Sequence, residues 1–211
     1  VKKATCVDEI CLAIPYTKEN DVLQKVAEEH DIDWCVRGPD QDVLDRFVRA
    51  AKVTKADTIV RVTADCPMID PDVICHVHAD RLAGDKMYPY VSSSENWPDG
   101  LDCEVFTVEE LCHAGTFATL QSDREHVTPF IKRKGHGTVY EPYNHTGHLE
   151  LGHHRWTVDE GKDLEFLRMV FPLLPEDFRY TDVLRVLEEN PELTEINAGI
   201  ERNEGYAKSS G

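Results

Sequence analysis

The chain has 211 residues, of which 41% are hydrophobic and 8% aromatic, so it can bury one sizeable core but not two comfortable domains. Its 40 acidic residues outnumber 23 basic ones and give a formal net charge of -17, which argues against a nucleic acid polymer as the main partner. The seven cysteines form no CxxC pair, which argues against a zinc ribbon and a disulfide framework and favours a cytoplasmic location. We expect no membrane partner, because no apolar run is long enough to span a bilayer.

Strands and helices alternate from the start of the chain. The hydrophobic periodicity predicts strands over 9–14, 33–36 and 58–63, and helices over 21–30 and 42–52. Such alternation is typical of an α/β fold in which helices cover both faces of a largely parallel sheet.

Two helix starts in the middle of the chain carry capping signals. Asp70 precedes Pro71 as an N-cap precedes a proline at the first helical position, and Thr107 to Glu110 has the form of a capping box. The remaining periodicity predicts strands over 88–93, 101–106, 138–140 and 149–158. It predicts helices over 124–134, 162–174 and 181–189, the first of them interrupted near Pro129. Residues 196–211 are polar, and we expect them to lie on the surface or to fray.

Two aspartates follow predicted strands and are candidates for ligand binding. Asp65 follows the strand at 58–63, at the end of the sheet where ligands bind in open α/β folds. It is either a turn residue or a ligand group, and because Asp70 already caps the next helix we favour the second. The position of Asp159 fits an N-cap equally well. As a pair, however, carboxylates from separate strand ends can share one Mg²⁺ ion.

Four motifs carry a resemblance to a known family. They are RVTADCPMIDP at 61–71, PDGLDCEVF at 98–106, REHVTP at 124–129 and RWTVD at 155–159. In this order they resemble the cytidylyltransferase family of spore coat polysaccharide biosynthesis protein F, which is related to the synthetases of CMP-activated acidic sugars. The resemblance runs from about Asp8 to about Lys208.

The resemblance implies a fold, a reaction and a set of site residues. The fold is a three-layer α/β/α, nucleotide-diphospho-sugar transferase-like domain with a mostly parallel, mixed sheet. The implied reaction is Mg²⁺-dependent transfer of CMP from CTP to an acidic or related sugar for surface polysaccharide biosynthesis. Asp65 and Asp159 would bind the metal and, with Arg124, would be catalytic. The implied substrate-binding residues are Arg37, Asp99, Asp102, Glu104, His126 and Arg155. For Arg37, a position in a solvated loop at the start of a helix is an equally good interpretation.

One departure from the family pattern leaves alternatives open. The family begins with a strand and a loop of the type A-R-x-x-S-x-R-L-P-G-K that holds the triphosphate, and no such segment precedes Val1. We therefore interpret residues 1–211 as a single nucleotidyltransferase-like domain that lacks this first βα unit, with enzymatic activity expected if the loop is supplied. The alternatives are a nucleotide- or sugar-binding protein without catalysis, a metal-dependent glycosyltransferase, and an interaction protein, such as a homodimer, whose sheet a partner completes.

Overall fold

Strands and helices alternate along the described part of the chain, which in this computed structural model comprises residues 1–82, 88–135, 137–144, 147–200 and 202. The strands are β1 (Cys11–Pro15), β2 (Trp34–Gly38), β3 (Thr58–Arg61), β4 (Tyr90–Ser93), β5 (Glu104–Thr107), β6 (Gly137–Tyr140), β7 (Tyr143–Asn144) and β8 (Gly147–His148). The α-helices are α1 (Asp21–Glu29), α2 (Val43–Thr54), α3 (Pro71–Arg81), α4 (Val108–Phe117), α5 (Gln121–His126), α6 (Pro129–Lys132), α7 (Gly161–Val170) and α8 (Tyr180–Glu189). Short 3-10 helices occupy Lys18–Asn20, Phe171–Leu173 and Pro191–Glu195.

The main sheet has the strand order β3-β5-β4-β6. Strand β5 runs antiparallel to both β3 and β4, whereas β4 and β6 are parallel. Three of the four strands therefore point in one direction, which confirms the predicted mixed sheet. Strands β1 and β2 form a separate parallel pair, and β7 and β8 form a small antiparallel one. Within the described residues, no strand pairs with the second edge of β1 or of β3.

Side chains that alternate along β4 and β5 face two different apolar clusters. Val91 and Val105 pack in the cluster that includes residues of α3, α7 and α8, whereas Tyr90 and Phe106 pack in the one formed with α2, α4 and α6. Because successive residues of a strand point to opposite faces, helices cover both sides of this sheet. The three-layer α/β/α arrangement predicted from the sequence is confirmed.

Both predicted capping signals start helices. The Asp70 carboxylate accepts a hydrogen bond from the backbone N of Asp72 at 2.7 Å, ahead of the first turn of α3. The Thr107 hydroxyl accepts one from the backbone N of Glu110 at 3.3 Å and begins α4. These caps satisfy amide groups that have no partner within their own helix.

The predicted strand over 149–158 is wrong. The backbone N of His154 donates to the carbonyl of Leu151 at 3.0 Å, so the chain turns there, and an isolated bridge joins Arg155 to Asp99. The segment lies between two loops of the cavity wall described below. Among its apolar residues Trp156 is fully buried, whereas Leu149, Leu151 and Val158 are partly buried.

In the segment 196–200, Ala198 and Gly199 are exposed as predicted, but Asn197 is not. Asn197 is buried, and its side chain donates to the Asp163 carboxylate at 3.0 Å. Residues 201 and 203–211 lie outside the described part of the chain. Among the described residues, no helix is long and apolar enough to cross a membrane.

Candidate active site

A cavity of about 990 Å³ opens at the edge of the main sheet where β3, β4 and β6 end. Asp65 follows β3, Ser94 follows β4 and Glu141 follows β6, and all three line the cavity. The carboxyl edge of parallel strands is the usual ligand site in open α/β sheets, because the loops that follow the strands converge there. The volume lies at the upper end of the range of roughly 300–1,000 Å³ for small-molecule sites.

Most of the site residues predicted from the sequence line this cavity. They are Asp65, Asp99, Asp102, Glu104, His126, Arg155 and Asp159. Two others have partners elsewhere: Arg37 donates to Asp21 at 2.7 Å, and Arg124 donates from Nε to Asp42 at 3.0 Å. Arg124 also bonds the Gly115 carbonyl at 3.1 Å, so it ties the start of α2 to α4. The cavity geometry gives no support to the roles predicted for Arg37 and Arg124, which stay predictions.

Four carboxylates, here called the carboxylate cluster, line one part of the cavity. They are Asp65, Asp99, Asp102 and Asp159. The backbone N of Val158 donates to the carbonyl of Asp65 at 2.9 Å, and that of Trp156 donates to the carbonyl of Asp99 at 2.6 Å. The segment 154–158 thus joins two loops that are distant in sequence and brings Asp159 beside them.

Gly100 makes this junction possible. Its φ is +107°, and a Cβ atom added there would lie 2.6 Å from the carbonyl carbon of Trp156. Any side chain would therefore clash with backbone and would also adopt an unfavourable conformation. The glycine of the PDGLD sequence is required for the close approach of the two segments.

Arg155 is a largely buried cation that holds two members of the carboxylate cluster, Asp99 and Asp159, together with Asp163. Its side chain is 9% exposed and donates to Asp99 at 2.8 Å, to Asp159 at 2.9 Å and to both oxygens of Asp163 at 2.9 Å. Burial alone would lower the pKa of Arg155, but its bonds to Asp163 and the other carboxylates raise it. The guanidinium therefore stays charged and fixes three carboxylates at once.

Two carboxylates on this guanidinium have opposite pKa shifts. Burial raises the pKa of Asp99 to about 6, with the nearby Asp102 adding to the effect and Arg202 and Arg155 opposing it. For Asp163 burial acts in the same direction, but bonds from Arg155, Asn197 and two backbone amides lower the pKa to about 2. Asp163 is thus a permanent structural anion, whereas Asp99 is held less firmly in its charged form.

Two cations, Arg61 and Lys132, form a basic cluster elsewhere in the same cavity. They share the carboxylate of Glu104, which Arg61 contacts at 2.6 Å and Lys132 at 2.9 Å. Tyr90 and Thr128 each donate a hydroxyl to the same carboxylate at 2.7 Å. Burial would raise the pKa of Glu104, but the two cations and these bonds lower it to about 2. Glu104 is therefore an anchor for the two cations, and its predicted contact with substrate stays a prediction.

Sequence reasoning missed three cationic residues of the site. Arg61 lies inside the first motif and pairs with Glu104 in the register of β3 and β5, so its position there was the available signal. Lys132 lies outside all four motifs and reaches the cavity from α6. Arg202 comes from the polar tail and donates to Asp102 at 2.6 Å. Its sequence surroundings give no signal of this contact.

The predicted magnesium ligands Asp65 and Asp159 both line the cavity, and the metal itself stays a prediction. In the described part of the chain no cationic side chain pairs with Asp65, and Asp159 pairs with Arg155 while its side chain stays 53% exposed. The described residues contain no group of three or more histidine, cysteine or acidic side chains arranged for a metal. Mg²⁺ commonly takes one or two protein carboxylates and completes its shell with phosphate oxygens and water. These two residues fit that pattern.

The fold and the site together define a nucleotidyltransferase-like protein. The sequence matches the cytidylyltransferase family over residues 1–180. An uncharacterized protein of Methanocaldococcus jannaschii is 31% identical over 209 residues, covering 98% of this chain and 83% of that protein. Spore coat polysaccharide biosynthesis protein SpsF of Bacillus subtilis is 28% identical over 196 residues, covering 88% of this chain and 77% of SpsF. The structure of a cytidylyltransferase from Leptospira borgpetersenii has a TM-score of 0.80 at 24% identity, covering 90% of this chain and 79% of that one, which shows a shared fold. The chain belongs to the cytidylyltransferase family.

Proposed function

We propose that the chain transfers CMP from CTP to an acidic or related sugar for polysaccharide biosynthesis. The observation that carries the proposal is the meeting of Asp65 and Asp159, 94 residues apart, in one cavity at the carboxyl edge of the sheet. Family membership and the polysaccharide role in the name of the Bacillus subtilis relative support the same reaction.

In this reaction a hydroxyl oxygen of the sugar bonds to the α-phosphorus of CTP while the bond to the β-phosphate oxygen breaks. Pyrophosphate leaves, and the hydroxyl proton passes to solvent. Mg²⁺ held by Asp65 and Asp159 would neutralise charge on the phosphates. Arg155 orients Asp159, and the backbone bond from Val158 holds Asp65 beside it. The contribution of the chain is positioning and electrostatic stabilisation.

A pyrophosphate-release assay with CTP, Mg²⁺ and a panel of acidic sugars tests this proposal. We expect Asp65→Ala to reduce release by at least about a hundredfold while its circular dichroism spectrum matches that of the wild type, because electrostatic contacts to reacting phosphates carry such factors. Unchanged release by Asp65→Ala would refute the assignment.

The same samples separate the rival functions. Calorimetric binding of CTP without any pyrophosphate release identifies a binding protein without turnover. Consumption of a nucleotide sugar, with no product made from CTP, identifies a glycosyltransferase. Each result would replace the cytidylyl transfer proposed above.

A further inference from the structure

The basic cluster carries more positive charge than its anchor neutralises. Arg61 and Lys132 share the single carboxylate of Glu104, so one unit of positive charge is left over. The nearby His126 is favoured in its neutral form, because burial lowers its pKa and Arg61 and Lys132 lower it further, against the opposing effect of Glu125. The positive excess therefore belongs to Arg61 and Lys132. In a chain of net charge -17, a local positive excess inside a cavity is a specific feature.

Donor groups of the basic cluster are available to a ligand. The Lys132 side chain is 51% exposed, and its ammonium has three N–H donors, one of which suffices for Glu104. Arg61 bonds Glu104 through Nη1, and its side chain, 18% exposed, also lines the cavity. The carboxylate of Glu104 already accepts from Tyr90 and Thr128 as well, so it cannot absorb these remaining donors.

The cavity wall also offers neutral polar groups suited to sugar hydroxyls. Ser94 and Asn96 both line the cavity and donate to the carboxylate of Glu141, Asn96 at 2.9 Å. Hydroxyl and amide side chains can both donate to and accept from the hydroxyls of a sugar, and an ionised carboxylate accepts from them. Sugar recognition and a positive charge thus occur in one cavity.

We propose that Arg61 and Lys132 bind an anionic group, a carboxylate or a phosphate, carried by the acceptor sugar, and so determine acceptor specificity. The identity of the ligand as acceptor rests on the proposed function. Charge complementarity separates the two substrates: a metal ion held by Asp65 and Asp159 would attract the triphosphate, whereas the basic cluster binds an anion directly. At about 990 Å³, the cavity has room for two such ligands.

Binding measured by calorimetry without CTP tests this proposal with three probes on one sugar ring: glucuronate, glucose 6-phosphate and glucose. We expect at least one anionic probe to bind at least about tenfold more tightly than glucose, since a charge-assisted bond is worth roughly one such factor. The stronger of the two anions identifies the group as carboxylate or phosphate. Glucose binding as tightly as both anions, or no measurable binding of either anion, would overturn the proposal.

Substitutions locate the anion. Lys132→Met keeps the apolar stem and should lose at least about tenfold in affinity for the anionic probe, with no change for glucose. Lys132→Arg should restore most of the affinity. The matched control is Lys134→Met, since Lys134 lies two residues on and pairs with Glu110 outside the cavity. Wild-type affinity of Lys132→Met for the anionic probe would contradict the assignment.

A measurement of CTP binding to the same variant distinguishes this subsite from the site for CTP. Lys132→Met should bind CTP with Mg²⁺ as the wild type does, and a selective loss of CTP affinity would overturn the proposal by giving the cluster to the nucleotide. Because no turnover is needed, anion binding without pyrophosphate release would leave the subsite intact and refute only the cytidylyl transfer.

Discussion

The carboxylate cluster and the basic cluster are built on opposite plans. In the first, the buried cation Arg155 holds Asp99, Asp159 and Asp163. In the second, the buried anion Glu104 holds two cations. In each case the buried charge has more partners of opposite sign than it can neutralise, so the excess is presented to the cavity. One buried residue thus positions several groups and sets the sign of the adjacent wall.

Removing the buried carboxylate that binds Arg155 should give the largest change in stability. Asp163→Ala takes from Arg155 the fully buried carboxylate that bonds it twice. We expect a loss of about 3–5 kcal/mol in the free energy of unfolding, the usual cost of breaking a buried ion pair. Urea unfolding measures it.

The control for this change is Asp177→Ala. Asp177 pairs with Lys3, and its side chain is 78% exposed, so the loss should stay below about 1 kcal/mol. Equal effects of the two substitutions would show that the Arg155 network does not hold the carboxylate cluster together.

Gly100→Ala should have the next largest effect. The added Cβ would contact the backbone of Trp156, and the φ of +107° would become strained. We expect a loss of about 1–3 kcal/mol in stability together with weaker Mg²⁺-dependent CTP binding, because Asp99 and Asp159 would separate. Gly135→Ala is the control: its φ is +70°, but a Cβ there meets no atom within 4 Å. If both variants bind CTP equally well, the close approach at Gly100 does not position the site.

The smallest effect should be a difference in the response of the two clusters to pH. The pKa of Glu104 is lowered to about 2, so its contribution to stability is present above its unfolded pKa of about 4 and is lost as the pH falls toward 2. The pKa of Asp99 is raised to about 6, so its contribution is present below about pH 4 and is lost as the pH rises through 6.

Melting temperatures measured from pH 2.5 to 7.5 check these signs. The difference in melting temperature between wild type and Glu104→Gln should shrink below pH 4. Between pH 4 and 6, the melting temperature of the wild type should fall relative to that of Asp99→Asn. For a chain of this size, each kcal/mol of difference shifts the melting temperature by about 2–4 °C. Slopes of the same sign for both pairs would contradict the opposite environments assigned to the two carboxylates.

Local signals in the sequence predicted local structure well. The caps at Asp70 and Thr107 depend on residues a few positions apart, and both were identified correctly. The position of Asp65 after a strand also predicted its place in the cavity, because the ends of parallel strands meet at one edge of a sheet.

Contacts between distant residues were not predictable in the same way. Asn197 bonds Asp163 across 34 residues, and Arg202 bonds Asp102 across 100. Neither has a periodicity or spacing signal, because the contacts depend on tertiary packing. The same holds for Arg124, whose motif predicted catalysis but whose side chain bonds Asp42 outside the cavity. Apolar patterning at 149–158 predicted a strand because burial beneath loops and burial in a sheet leave similar sequences.

Calorimetry of CTP binding to Asp65→Ala, with and without Mg²⁺, tests the central claim most directly. The control is Asp57→Ala, since Asp57 is an exposed carboxylate just before the other end of β3 and outside the cavity. We predict that Mg²⁺ strengthens CTP binding to the wild type and to Asp57→Ala but not to Asp65→Ala. Equal Mg²⁺-dependent binding by all three proteins would contradict the placement of the metal at Asp65 and Asp159.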